Sequence, residues 1–334
     1  MLYEKQIVGG NSGVNHLLPV KYHWAYEGFK AACKNFWLPG EIAMGEDKLQ
    51  WETGRLTPDE QHLFKSVFAT LTTSDILIQR NLAVAVMERI TAPEVEVAIA
   101  AQINQEAIHS DTYAHVLENL GLNPEEIYTL YERVPEIKQK FALAKEFTDG
   151  MSPDSRLKDY VKGLIFYYGA FEGVWFFNGF SPLFSLQRRN LMARSCEQLQ
   201  YIARDESKHA DFGIRLIREI IKETGVHIPQ DAVEHIFKAA LAAESEYARY
   251  AIPAVLGYNA DTHIEHTKYL LDKRAIQLGF NPIWNAKPGI TWLDEQIGGV
   301  LKEKNFFESR VTEYQVGALE DFETSRIEEV VDWK

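Results

Sequence analysis

The chain of 334 residues is predicted to be all-α, a bundle of long core helices with extra flanking helices. Two helix starts are plainly written, Thr57-Pro58-Asp59-Glu60 and Asn123-Pro124-Glu125-Glu126. Each has a capping side chain followed by proline at the first helical position. Few period-2 stretches bounded by turns are present. The run Leu164–Phe177 is apolar apart from Glu172. It is too short for a bilayer span of about 20 residues, so it reads as a core helix. A carboxylate in such a helix is costly unless paired or bound to metal.

Taken in order, residues 1–30 carry Gly9, Gly10, Gly13 and Pro19 and read as an irregular N-terminal arm. Asn35-Phe36-Trp37-Leu38-Pro39 is a compact aromatic segment. The Thr57 start opens a helix to about Ile90 with Asp75 near its middle, and Thr91-Ala92-Pro93-Glu94 starts the next, to Gly121. A third helix is expected from Asn123 to about Gly150, and a fourth from Ser155 to Phe180. After the break at Pro182 come Phe184–Thr224, Pro229–Ala251, Asp261–Leu278 and a short helix near 292–303. From Leu319 to Lys334 six residues are acidic and few are large and apolar. Such a tail is expected to be flexible alone and to order on a partner; a frayed terminus without a role is the bland alternative. The domain division is 1–30, 31–305 and 306–334.

Composition sets limits. The chain is 46% hydrophobic and 25% charged, an ordinary globular balance. Its formal charge of −13 argues against a nucleic-acid-binding surface. Cys33 and Cys196 make no disulfide framework. Met1-Leu2-Tyr3-Glu4-Lys5 lacks a signal-peptide pattern, so a cytoplasmic protein with no membrane association is expected.

The chemistry lies in a pattern that occurs twice. Glu106-Ala107-Ile108-His109 and Glu206-Ser207-Lys208-His209 are both Glu-x-x-His, which on a helix puts a carboxylate and an imidazole on one face. Asp75 lies 31 residues before Glu106, and Glu172 lies 34 before Glu206. One Glu-x-x-His in an acidic chain is ordinarily a solvated helix face; two, each preceded by an acid at similar separation, are not expected by chance. The set matches the ferritin-like di-iron and di-manganese carboxylate proteins, with one acid from each of two helices and Glu-x-x-His from the other two. Four carboxylates and two imidazoles suit Fe(II) or Mn(II) rather than structural zinc. His263-Ile264-Glu265-His266 also pairs two histidines, but in a polar stretch that reads as a solvated face.

Tyr113 follows His109 by one helical turn, and Ile202-Ala203-Arg204-Asp205-Glu206-Ser207-Lys208-His209 surrounds the second pair. With these residues the chain resembles the small, radical-generating (beta, R2) subunit of class I ribonucleotide reductase. The match runs from Phe36-Trp37 to Phe306-Phe307-Glu308 and Tyr314. The resemblance implies a ferritin-like fold in which Asp75, Glu106 and His109 bind one metal and Glu172, Glu206 and His209 the other, with Glu106 and a second-half carboxylate bridging. It implies that Tyr113 is oxidised to a stable radical within an apolar pocket of Phe176, Phe180 and Ile202. Trp37 and Asp205 match a hydrogen-bonded chain to His109; Glu308 and Tyr314 match residues that pass the radical to the large (alpha) subunit. Without the resemblance, Tyr113 would be a core tyrosine with a satisfied hydroxyl, and Trp37 a packing residue.

The implied function is that of the small subunit of ribonucleoside-diphosphate reductase. It would activate oxygen to make and store the radical used to reduce ribonucleotides to deoxyribonucleotides. The chain shows no nucleotide-binding loop or reactive cysteine pair, so activity would need the large subunit. The resemblance also implies a homodimer, a two-iron centre with two manganese or a mixed manganese/iron pair as alternatives, and an activating flavoprotein if manganese is used. Asp75 as first ligand together with Tyr113 favours the tyrosyl-radical type. The competing readings are a stand-alone di-metal oxidase or monooxygenase and a ferritin-like iron-binding protein.

Overall fold

The computed structural model of the chain describes residues 4–10, 16–152 and 154–293. The helix expected at 292–303, apart from its first two residues, and the tail with Glu308 and Tyr314 lie outside them. The architecture below is that of the compact unit 1–291. Among the described residues there is no β-strand; Val8–Ile90 and Val255–Tyr258 are isolated bridges. No helix of the described residues is long and apolar enough to cross a membrane.

Among its described residues the arm holds a helix and anchoring contacts. Helix α1 (His23–Lys34) follows the turn at Lys21 and lays Trp24 against Phe212 with ring centroids 5.3 Å apart. The preceding residues are clamped by a buried ion pair, Lys5 Nζ to Glu94 at 2.7 Å, and by the Thr91 N–H donating to the Ile7 carbonyl at 2.8 Å. After α2 (Gly45–Glu52) comes α3 (Pro58–Asn81). It opens on the expected capping box: Thr57 N–H donates to Glu60 Oε2 at 2.8 Å, and Glu60 N–H donates back to Thr57 Oγ1 at 3.3 Å. The stretch to Ile90 is not α-helical throughout, because a π turn (Leu82–Val86) and a 3-10 turn (Met87–Arg89) complete it.

Helix α4 (Pro93–Leu120) ends at Gly121, whose φ of +65° closes the helix in a conformation that costs glycine no Cβ clash. The single helix expected over 123–150 is three: α5 (Pro124–Tyr128), α6 (Leu130–Arg133) and α7 (Pro135–Asp149). Pro135 disfavours helical geometry in the residue before it, and Val134 is extended accordingly. Helix α8 (Leu157–Leu164) continues into a π-helical stretch, Ile165–Phe176, and then α9 (Phe177–Gly179). Every residue of the π stretch is buried, as expected of a helix apolar all round.

The helix expected from Phe184 to Thr224 is divided into α10 (Ser181–Gln187) and α11 (Ala193–Thr224). At the break Asn190 and Met192 have positive φ. The start of α11 is capped from a distant segment: Asp47 of α2 accepts from Arg194 N–H (3.1 Å), Ser195 N–H (2.6 Å) and Ser195 Oγ (2.7 Å). Helices α12 (Gln230–Ala251) and α13 (Ala260–Leu278) complete the unit. The bundle that matters is α3 on α4, α4 on α11, and α11 on the π stretch, with α7, α12 and α13 packed outside.

Candidate metal centre

Helical spacing brings the six candidate ligands to one point. Asp75 comes from α3, Glu106 and His109 from α4, Glu172 from the π stretch, and Glu206 and His209 from α11. All six are buried. They form two groups, Asp75–Glu106–His109 and Glu106–Glu172–Glu206–His209, with the ligand atoms of each group within 4.8 Å of one another. Glu106 belongs to both, its Oε2 3.4 Å from His109 Nδ1 and its Oε1 3.1 Å from His209 Nδ1. Glu206 spans the groups likewise, Oε1 at 3.1 Å from His109 Nδ1 and Oε2 at 3.5 Å from His209 Nδ1. These two carboxylates have the placement of bridges.

The donor atoms fit a pair of cations. Both oxygens of Asp75, Glu106 and Glu206, Glu172 Oε2 and Nδ1 of both histidines are buried without a hydrogen-bond partner. Unpaired buried groups of this kind cost free energy and are rare; two divalent ions would satisfy all of them. The electrostatics agree. Burial, aided by the Glu106 charge, pushes the Asp75 carboxyl well above the usual range. Burial does the same at Glu172 despite the nearby His209 imidazole. Burial opposes the charge on Glu206 as well, but His209 and His109 hold it down at about 2. The protein has gathered more negative charge than it can keep ionised without cations.

Around the six lies a layer of hydrogen bonds. Trp37 Nε1 donates to Asp205 Oδ2 at 2.9 Å, and that oxygen lies 3.6 Å from His109 Nε2, beside it but beyond hydrogen-bond distance. Arg204 Nε donates to the other oxygen of Asp205 at 3.2 Å. Burial opposes ionisation of Asp205, but the neighbouring His109 and the Arg204 charge bring it to about 2. His209 Nε2 meets Gln105 Oε1 at 3.0 Å, and Gln102 Nε2 donates to Glu172 Oε1 at 2.9 Å. The sequence reading missed Gln102, Gln105 and the Tyr168 hydroxyl that donates to Gln102 Oε1 at 3.2 Å. A signal was available: Gln102 and Gln105 stand four residues before Glu106 and His109, on the ligand face of α4.

Tyr113 is fully buried beside Asp75, and burial together with the Asp75 charge raises its phenol well above its ordinary value. Phe68 of α3 meets its ring edge-on at 6.0 Å; it lies seven residues before Asp75 on the same helix, a second residue the sequence reading passed over. Phe176, Phe180 and Ile202 are buried, with Phe176 and Phe180 tilted against each other at 6.2 Å. His263 and His266 are not on a solvated face. Both are buried, because α13 packs on α12 and the π stretch. His263 bonds Glu244 (2.7 Å) and the Tyr258 hydroxyl (2.8 Å) in a separate polar network that also holds Lys140.

Comparison with known proteins gives one family. The model of the ribonucleotide reductase small chain matches residues 14–289. The chain is 34% identical over 314 residues to the ribonucleoside-diphosphate reductase subunit beta of Chlamydia pneumoniae, covering 90% of each. A ribonucleotide reductase R2 subunit from Clostridium botulinum superposes with a TM-score of 0.79 at 24% identity, over 88% of this chain and 94% of that one. The Rnr4 homodimer of Saccharomyces cerevisiae gives 0.75 at 20% identity, over 92% of each chain. With the ferritin-like bundle and its buried carboxylate–histidine cluster in place, the chain belongs to the ribonucleotide reductase small-chain family, the beta subunits of that oxidoreductase.

Proposed function

We propose that the cluster binds two metal ions and that Tyr113 is the residue oxidised there, its radical being passed to a large subunit for ribonucleotide reduction. The observation that carries this is the convergence of six buried ligands from four segments, each with at least one unpartnered donor atom, with a buried phenol beside one of them. Two iron ions suit the donor set, as do two manganese ions or a mixed pair. When bound, the ions would react with dioxygen or another oxidant, which would accept the electron drawn from the phenol. The chain's own residues do the rest. Asp75 is the carboxylate whose charge acts most on the buried Tyr113 phenol. Phe68, edge-on to its ring, and the full burial of Tyr113 exclude water, which would quench a phenoxyl radical.

Trp37, hydrogen-bonded to Asp205, and His109, 3.6 Å from that carboxylate, form a polar line leading away from the centre, and Trp37 stacks on Tyr201 with centroids 5.1 Å apart. A stand-alone oxidase would have no use for such a line, which supports transfer to a partner. Glu308, Tyr314 and the acidic tail are the residues proposed to complete the path and to dock on the large subunit. The exposed apolar residues Ile76, Leu77 and Val84, on the outer side of α3 and the turn after it, support a homodimer. An activating flavoprotein belongs to the manganese form of the proposal, and a cytoplasmic location to all forms.

The test is electron paramagnetic resonance of the full-length chain, loaded with Fe(II) and exposed to dioxygen, or loaded with Mn(II) and given an oxidant. A sharp tyrosyl signal is expected, and it should vanish in Tyr113→Phe. The same signal surviving in Tyr113→Phe, or no signal from the wild type under either condition, refutes the radical assignment.

A further inference from the structure

The two halves of the centre are backed by different chemistry. Behind His109 stands a carboxylate, Asp205, 3.6 Å from its Nε2 and itself held by Trp37 at 2.9 Å and Arg204 at 3.2 Å. Behind His209 stands a neutral amide, Gln105, at 3.0 Å. The outer oxygen of Glu172 is likewise taken by an amide donor, Gln102, at 2.9 Å. Both glutamines lie on α4, on the face that carries Glu106 and His109. The helix that supplies two ligands of the first group therefore also orients both ligands peculiar to the second, which come from the π stretch and α11.

The direction of each bond is fixed by what donates. Tyr168 gives its O–H to Gln102 Oε1, so the amide must turn its N–H toward Glu172. That bond draws charge from Glu172 and leaves Oε2 as its free inward-facing atom. At His209 the proton sits on Nε2 and points to Gln105, which leaves Nδ1 to face Glu106, Glu172 and Glu206. A carboxylate behind an imidazole raises its basicity as a ligand; a neutral amide, which brings no charge, does so less.

The geometry points to Gln102 and Gln105 as positioning residues for the second ion, and to an inequality between the two positions: the one at Glu172 and His209 holds its ion more weakly than the one at Asp75 and His109. This rests on the two-metal reading above and deepens it. It places Tyr168 behind Gln102 as a further support, seated where Gly213 of α11 leaves room for its ring.

The experiment is titration of the metal-free, full-length chain with Mn(II) alone, free Mn(II) being followed by its paramagnetic resonance signal. The wild type should bind two ions in two resolved steps. Gln102→Leu and Gln105→Leu should each weaken the second step by about 10–100-fold while leaving the first within about threefold. Tyr168→Phe should act in the same direction as Gln102→Leu, by less. Gln105→Glu, which puts a carboxylate behind His209, should tighten the second step and narrow the gap, an effect that mere structural damage does not produce. Equal weakening of both steps in the leucine variants, or a second step not tightened in Gln105→Glu, overturns the inference while leaving the two-metal reading in place. A wild type that binds no Mn(II) overturns that reading and the inference with it. Should a leucine variant fail to fold, Gln105→Glu and Tyr168→Phe still decide.

Discussion

Adding one methyl group at Gly213 sets two effects of known sign against each other. Gly213 lies well inside α11, so alanine gains about 1 kcal/mol from helix propensity. The added Cβ, however, would stand 1.9 Å from Tyr168 Cγ, 2.1 Å from its Cδ1 and 2.4 Å from its Cβ. Those are the base of the ring and the start of its side chain rather than a flexible tip, so the whole residue has to move. Overpacking of this kind costs about 1–3 kcal/mol. Displacing the ring also breaks the Tyr168–Gln102 hydrogen bond and strands a buried amide oxygen, which costs about 1–3 kcal/mol more. The net expectation for Gly213→Ala is a loss of about 1–5 kcal/mol, measured by urea unfolding of the metal-free chain. In a Tyr168→Ala background the obstacle is gone, and the same substitution should stabilise by about 1 kcal/mol. A single mutant at least as stable as wild type, or the same sign in both backgrounds, would show that Gly213 is not there to admit the ring.

Three further outcomes are expected. Burial and the nearby His263 lower His266 to about 4, and its Nδ1 accepts from the Ile290 N–H at 3.3 Å. The unfolded state therefore binds the extra proton between pH 6.5 and about 4, and stability should fall as pH drops through that window. The full difference is about 3 kcal/mol; His266→Gln should flatten the pH profile of the melting temperature there, and an unchanged slope would discount the residue. Glu94→Gln unpairs the buried Lys5 ammonium and should cost about 3 kcal/mol; denaturant unfolding showing no loss would mean that the arm is held by other contacts. Removing residues 319–334 should abolish ribonucleotide reduction with the large subunit while leaving bound metal unchanged, and full activity after the deletion would remove the docking role.

What could be read in advance, and what could not, follows from where each residue's partners lie. Glu106–His109 and Glu206–His209 are legible because three residues make nearly one helical turn, and Thr57–Glu60 because a capping box closes within four residues. Asp75, Glu172, Trp37 and Asp205 have distant partners and were found through a repeated pattern and a resemblance; the fold then brings Asp75 and Glu172 to the histidines and Trp37 to Asp205. Two of the misreadings, the α10–α11 break and His263, share one cause, partners far off in the sequence or on another helix. The break between α10 and α11 depends on Asp47, nearly 150 residues earlier, capping a helix that would otherwise run on. His263 looks solvated beside Asp261 and Glu265, and is buried because Glu244 and Tyr258 supply its partners. Gln102 and Gln105 have no charge to stand out on a helix that carries other polar residues; an amide is recognised as part of a centre only when the group it holds is known. The legible part of this chain is the part that binds charge directly. The part that orients those ligands lies one hydrogen bond further out, where side-chain identity alone says little and the packing of α4 against α11 decides.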